Sequence, residues 1–334
     1  MNESYNALLL VSFGGPEAPE EVIPFLENVL RGKNVPRERM LEVAEHYQQL
    51  GGVSPINEQN RKLRAAIEGD FADSGLDMPV YWGNRNWHPL LPDTLQQMAE
   101  AGIERALAFF TSAFSSYSGC RQYREDIARA RQQVGDAAPH IDKLRMFFNH
   151  PGFIEPMIEN TRAAAGELSE SVRSSARLLF TAHSIPLSMA ENCRYELQLR
   201  EACRLVAEGL RCDNWELVYQ SRSGPPHQPW LEPDVCDAIR ARHAAGDLSA
   251  AVVVPIGFVS DHMEVRYDLD TEARELCDEL DVPMVRAATV GAHPRFVKMV
   301  RELVIERCDG KEKLALGAMG PSHDVCPDDC CLIR

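Results

Sequence analysis

Apolar positions in this chain fall into two alternating kinds of run. Short unbroken ones occupy Ala7–Ser12, Met78–Trp82, Ala106–Thr111, Lys143–Phe147, Leu178–Ala182, Glu216–Gln220, Ala250–Pro255 and Pro283–Arg286. Continuous apolarity over so few residues marks strands covered on both faces. Longer segments with helical spacing lie between them, including Pro19–Val29, Pro55–Phe71, Ile154–Leu168, Cys193–Leu210, Pro233–Ala244, Val265–Leu280 and Pro294–Arg307. Strand and helix in alternation predict an α/β fold with parallel sheets flanked by helices. Ligands of such sheets bind beyond the carboxyl ends of the strands, so the loops after the strands are where chemistry should be sought.

Two of the strand ends resemble each other. "ALLLVSFGGP" (Ala7–Pro16) and "RLLFTAHSIP" (Arg177–Pro186) both run from apolar residues through small or polar ones to a proline, with Phe13 at the position of His183. This predicts two similar halves, 1–150 and 151–310, meeting near His150–Pro151 and followed by a tail, 311–334. If both strand ends face one cleft, Phe13 and His183 view the same ligand from opposite sides.

Composition narrows the picture. The 334 residues are 45% hydrophobic, enough for two cores, and the net charge is -15 with no basic run. A nucleic-acid or anionic-membrane footprint is therefore missing. The N-terminus has no basic region before its short apolar stretch, which argues against a secretory signal. No segment approaches the ~20 apolar residues of a spanning helix, and a cytoplasmic location is expected. In a reducing compartment the ten cysteines read as packing residues, metal ligands or redox groups before disulfides.

The candidate chemistry follows the strands. His183 ends an apolar strand, and an imidazole there exchanges protons near neutral pH or binds a metal. In "IGFVSDHMEVRYDLDTEARE" (Ile256–Glu275), Glu264, Asp268 and Glu272 are spaced by four, so a helix stacks three carboxylates on one face. Such a row is either a solvated face or a path for cations and protons, with Asp261 and His262 clustered at its start. "YQSRSGPPHQPWLEP" (Tyr219–Pro233) reads as a rigid wall anchored by Trp230, and "NRNWHPLLP" (Asn84–Pro92) resembles it, with His88 a further candidate ligand. "GGVSPINEQN" (Gly51–Asn60) opens a helix at Ser54, where a hydroxyl and free amides can receive a carboxylate. No P-loop, G-x-G-x-x-G, G-x-S-x-G or H-E-x-x-H motif is present.

Together "LLLVSFGGPEAPEEVIPFL", "GGVSPINEQN", "NWHPLLPDTL", "TSAFSSYSGCRQYRED", "FTAHSIP", the Trp230 segment and the acidic segment resemble ferrochelatase, in order and across nearly the whole chain. The resemblance is greatest to the actinobacterial type, whose usual substrate is coproporphyrin III. It implies the type II chelatase fold, two Rossmann-like halves around a porphyrin cleft, and a lyase that inserts Fe(II) with loss of two pyrrole protons. His183 and Glu264 would be the catalytic, iron-binding pair, with Asp268 and Glu272 relaying protons or iron. Ser54 and Tyr123 would meet propionates, with Arg31, Tyr47 and Phe13 as further porphyrin contacts. Phe13 stands where firmicute relatives carry a tyrosine able to ligate haem iron, so axial tyrosinate ligation is not expected.

The resemblance also gives the tail a purpose. Some ferrochelatases hold a [2Fe–2S] cluster on three C-terminal cysteines and one upstream. Here Cys326, Cys330 and Cys331 fall in "CPDDCC" and Cys120 in "YSGC", the four thiolates such a cluster needs. Zinc competes for the same donors. The expected partners are a porphyrin, Fe(II) and, transiently, neighbouring haem-pathway enzymes. Protoporphyrin IX as substrate, a cobalt-inserting sister activity and a non-catalytic haem or iron–sulfur protein are the alternatives.

Overall fold

The computed structural model describes residues 5–33, 35–224 and 227–333. Pro225 and Pro226 of the predicted wall lie outside them. Two four-stranded sheets carry the fold, with strand orders β2-β1-β3-β4 and β6-β5-β7-β8. The strands are β1 (Ala7–Ser12), β2 (Val80–Asn84), β3 (Arg105–Phe110), β4 (His140–Lys143), β5 (Arg177–His183), β6 (Trp215–Gln220), β7 (Ala251–Val254) and β8 (Met284–Arg286). All pairings are parallel. The sheets share one topology: β1 and β5 occupy equivalent central places, and Ala7 and Arg177 pair with the matching positions Ala106 and Ala251.

Each strand order reverses direction beside its central strand. Such a switch point opens a crevice at the strands' carboxyl ends. Phe13 follows β1 at one crevice, and His183 closes β5 at the other.

Burial explains why the pattern was readable. Every residue of β1 is buried, as is every residue of β7. A single apolar cluster joins inner faces of both sheets, including Leu8, Phe109, Phe180 and Val252. Helices Pro151–Gly166, Tyr195–Leu210 and Pro294–Asp309 pack within it, and the last also packs on Ile56–Asp73 of the first half. Arg301 reinforces that contact with a 2.7 Å ion pair to Asp70. The halves therefore share a core, and the last helix of the second half closes back on the first.

Some elements differ from the pattern. The predicted strand Lys143–Phe147 lies instead at His140–Lys143. After Leu144 bonds the Ala108 carbonyl at 2.9 Å, the chain turns inward and Phe147 stacks on Phe109 at 5.1 Å. Its apolarity serves burial in irregular chain. The polar-rich helices Arg37–Gln49, Leu91–Glu100 and Gln122–Val134 lie beyond the segments named from the sequence. Among the described residues no helix is long and apolar enough to cross a membrane.

The tail is tied down by side chains reaching its backbone. Buried Arg145 pairs with Glu306 at 2.7 Å and donates to the Leu314 carbonyl at 2.7 Å. Asn149 donates to Leu316 and Gly320 carbonyls at 3.0 and 2.9 Å. Arg121 holds the carbonyls of Asp328 and Cys330 at 2.8 and 3.0 Å. These contacts bring the terminal cysteines onto the first half.

Candidate active site

His183 is held from three directions. Its Nδ1–H donates to the Ser184 carbonyl, so the neutral imidazole carries its lone pair on Nε2. Ser184 is fixed in turn, its N–H donating to Gln220 and its hydroxyl to Leu231, both at 2.8 Å. The Tyr195 hydroxyl donates to the His183 carbonyl at 3.1 Å. Nε2 then faces Glu264 Oε2 at 3.8 Å, with His262 Nδ1 3.9 Å from the same oxygen. Burial lowers the proton affinity of His262, partly offset by the Glu264 charge.

Glu264 begins a helix that turns π-helical over Arg266–Ala273, a widened geometry common at functional sites. The three acids remain a row, with Glu264 and Glu272 exposed and Asp268 half-buried. Arg274 turns away to the Met284 carbonyl, and Arg286 engages Asp270 and Asp261. Among the described residues no lysine or arginine pairs with the row. Ser221 and Gln220, at the end of β6, both donate to Asp268 Oδ2. Burial still pushes the Asp268 carboxyl up to about 8, with the Glu264 and Glu272 charges adding to the rise. Glu272 is raised as well, by burial and then by Asp234. Asp268 thus keeps its proton at neutral pH, which suits proton exchange better than cation binding.

The first crevice has the opposite character. Phe13 is 37% exposed, edge-on to Phe25 at 6.2 Å and 5.8 Å from the Arg85 guanidinium. Arg85 also lies 4.5 Å over the Tyr123 ring and pairs with Asp126. Tyr123 and the Arg85 side chain are each only 5% exposed, so neither is presented openly at the surface of the crevice. Lys33 is exposed, and its proton affinity is lowered by partial burial and then by the Arg85 charge. Arg31 is exposed, two residues from Lys33.

The glycines of "FGGP" shape this loop. Gly14 adopts a φ of +82°, and a side chain on Gly15 would meet Ser54 Cβ at 2.7 Å. Ser54 is buried and bonds the Pro16 carbonyl through its N–H at 2.8 Å. Tyr47 packs on Phe25 at 5.9 Å, and its hydroxyl is raised by burial and then by the Glu264 charge. His46 stacks on Tyr267 at 3.9 Å, joining the halves directly. His88 is exposed, its ring edge-on to Trp87 at 5.5 Å. Trp230 is buried rather than presented, folded against Gly224.

The geometry therefore sets an imidazole and carboxylates opposite a cationic, aromatic crevice, and the ferrochelatase sequence profile matches residues 5–308. The chain belongs to the ferrochelatase family. Members of that family are lyases that insert iron into a porphyrin. A ferrochelatase from Rhodopirellula baltica is 62% identical over 98% of this chain and 93% of its own length. Coproporphyrin III ferrochelatases from Streptomyces coelicolor and Nocardia farcinica are 53% and 50% identical, covering 99% and 97% of this chain and 94% and 96% of theirs. In fold alone the chain is also similar to the cobalt-bound sirohydrochlorin chelatase SirB of Bacillus subtilis subspecies spizizenii. That match is 11% identical, with a TM-score of 0.53 over 92% of this chain and 97% of that one.

In this ferrochelatase-family fold the tail cysteines converge far along the chain from His183. Cys120, Cys326 and Cys331 are buried and Cys330 half-buried. Cys330 and Cys331 sulfurs lie 3.6 Å apart. A hydrogen bond between Cys120 and Cys326 raises the first thiol and lowers the second. The four expected donors thus meet, and a metal cluster's donor requirement fits them. His323 joins as an unpredicted neighbour, its Nε2 3.8 Å from the Cys330 sulfur. Its donor lies within 4.8 Å of those of Cys326 and Cys330.

Arg85, Lys33, Gln220 and Ser221 also escaped the sequence reading. Arg85, Gln220 and Ser221 end or follow the edge strands β2 and β6, each next to a central strand. Strand-end position was the available signal, but Trp87 and His88 drew attention away from Arg85.

Proposed function

We propose that the chain inserts Fe(II) into coproporphyrin III to give coproheme. The observation that carries this reading is the His183–Glu264 pair, with an imidazole lone pair directed at a carboxylate. Fe(II) entering a free-base porphyrin displaces two protons, so the site must meet a cation and remove protons together. Neutral His183 Nε2 meets the metal or takes a pyrrole proton, and Glu264 offsets the cation's charge. Asp268 and Glu272 carry protons outward along the helix. Glu272, exposed at the far end, is the exit to water.

For the porphyrin, Phe13 supplies a flat apolar contact, Lys33, Arg31, Ser54 and Tyr123 supply partners for carboxylates, and Arg85, paired with Asp126, backs the Phe13 and Tyr123 rings. Coproporphyrin has four propionates and protoporphyrin two, so the exposed cations Arg31 and Lys33 beside the first crevice favour the former. The names of relatives at about half identity point the same way.

We read Cys120, Cys326, Cys330 and Cys331 as ligands of a [2Fe–2S] cluster. Bound there, such a group would supply a covalent tie between the tail and the first half, since iron insertion itself transfers no electrons. The same reading places the chain in the cytoplasm, with product passing by transient contact to neighbouring haem-pathway enzymes.

The test combines a visible spectrum and metal analysis of the purified protein with anaerobic Fe(II) assays on each porphyrin. Coproporphyrin should lose its free-base bands faster. Preference for protoporphyrin would overturn the substrate assignment, and zinc without sulfide would overturn the cluster.

A further inference from the structure

Lys143, the last residue of β4, presents an unusual electrostatic problem. It is only 9% exposed, yet among the described residues no carboxylate lies within ion-pair distance of its ammonium. The hydrogen bond it makes among the described residues runs to the His323 carbonyl at 3.1 Å, a neutral acceptor. Burying a lone ammonium is costly and calls for a compensating negative group.

The nearby acids are engaged elsewhere. Asp324 pairs with Lys313, Asp142 with Arg105 at 2.8 Å, and Glu125 with Arg121 at 3.0 Å. Lys143 instead lines the same cavity as Cys326, together with Arg121 and Arg124. Two of the three cations also grip tail carbonyls, Lys143 at His323 and Arg121 at Cys330. In a chain of net charge -15, these cations gather beside Cys326.

We propose that Lys143 is the buried counter-charge of the metal cluster and raises its reduction potential. The inference rests on the [2Fe–2S] reading given above. Two ferric ions, two sulfides and four thiolates sum to a charge of about −2, and one added electron makes it about −3. A fixed positive charge beside the cluster favours the more negative state, so it eases reduction by that one electron without any bond forming or breaking. Lysine meets this need better than a neutral donor because its charge, not its hydrogen bond, acts on the cluster.

Lys143→Gln keeps a donor for His323 but removes the charge; Lys143→Arg keeps both. The full-length proteins are titrated anaerobically with a low-potential reductant and followed by visible and electron paramagnetic resonance spectra. The glutamine variant should be at least about tenfold harder to reduce, a fall of about 59 mV for a one-electron couple, and the arginine variant should stay close to the parent. Loss of the cluster in the glutamine variant alone would support the same role. Equal potentials in the glutamine variant and parent, or cluster loss in both variants, would overturn it and leave Lys143 a pin for the tail. Iron and sulfide analysis of the parent separates the two failures, because a parent without iron and sulfide removes the cluster reading and the counter-charge with it. Retained iron insertion in each variant shows that it has folded.

Discussion

The two sheets have the same strand order and the same central strand, yet their crevices are chemically opposed. After β1 the chain presents Phe13 beside Arg85 and Lys33; after β5 and β7 it presents His183, Glu264 and the acid row. Topology supplies the crevice and the loop residues supply the chemistry. The division suits a reaction with two unlike partners, since a flat polyanion needs aromatic and cationic contacts while a divalent cation and departing protons need lone pairs and carboxylates. Each crevice would repel the other's ligand. Facing each other, they bring porphyrin and metal together from opposite sides.

The largest blow to this comparison comes from the second crevice. His183→Ala removes the lone pair nearest Glu264 and should lower iron insertion by about 10³-fold or more, the upper part of the range for a proton-transfer group. Porphyrin binding, measured by fluorescence quenching, should change little because the first crevice is intact. Turnover within tenfold of the parent would remove His183 from the mechanism.

A smaller effect should come from the opposite side. Lys33→Glu reverses an exposed cation beside the first crevice and should raise KM for coproporphyrin about tenfold with kcat nearly unchanged, the signature of lost ground-state contact. The difference should shrink as salt rises, because an exposed charge is screened. An unchanged KM at low salt would show that the propionates lie elsewhere and that the crevice is cationic for another reason.

Much of this division was legible in the sequence because buried parallel strands announce themselves by continuous apolarity. The likeness of "ALLLVSFGGP" and "RLLFTAHSIP" could be seen in the sequence, and β1 and β5 do occupy equivalent central places with matching registers. The acid row was visible from its spacing. Its unequal members were not, because the state of Asp268 depends on Gln220 and Ser221, more than forty residues away. Arg85 was hidden for a similar reason: its meaning comes from Phe13, Tyr123 and Asp126, which only the folded sheet brings around it. The run at Lys143–Phe147 misled because burial by helices and burial within a sheet leave the same apolar pattern.

The finest test concerns Asp268, where the second crevice differs from a simple cluster of carboxylates. An aspartate ordinarily ionises near 3.8, whereas burial pushes this one to about 8. Between those values the folded protein holds a proton that the unfolded chain has released, so this group's contribution to stability falls as pH rises. Asparagine removes that penalty. Asp268→Asn should therefore raise Tm at pH 7.5, and the gain should shrink toward zero by about pH 3, where aspartate is largely protonated in both states. Activity offers an independent reading. As pH passes about 8 the parent gains a second carboxylate able to accept protons, and its kcat should rise by a fewfold; the asparagine variant should lack that limb. If the variant keeps the limb, another group titrates there, and if it gains no stability at pH 7.5, Asp268 is ionised in the folded protein and the row is a uniform anionic path suited to the metal as much as to protons.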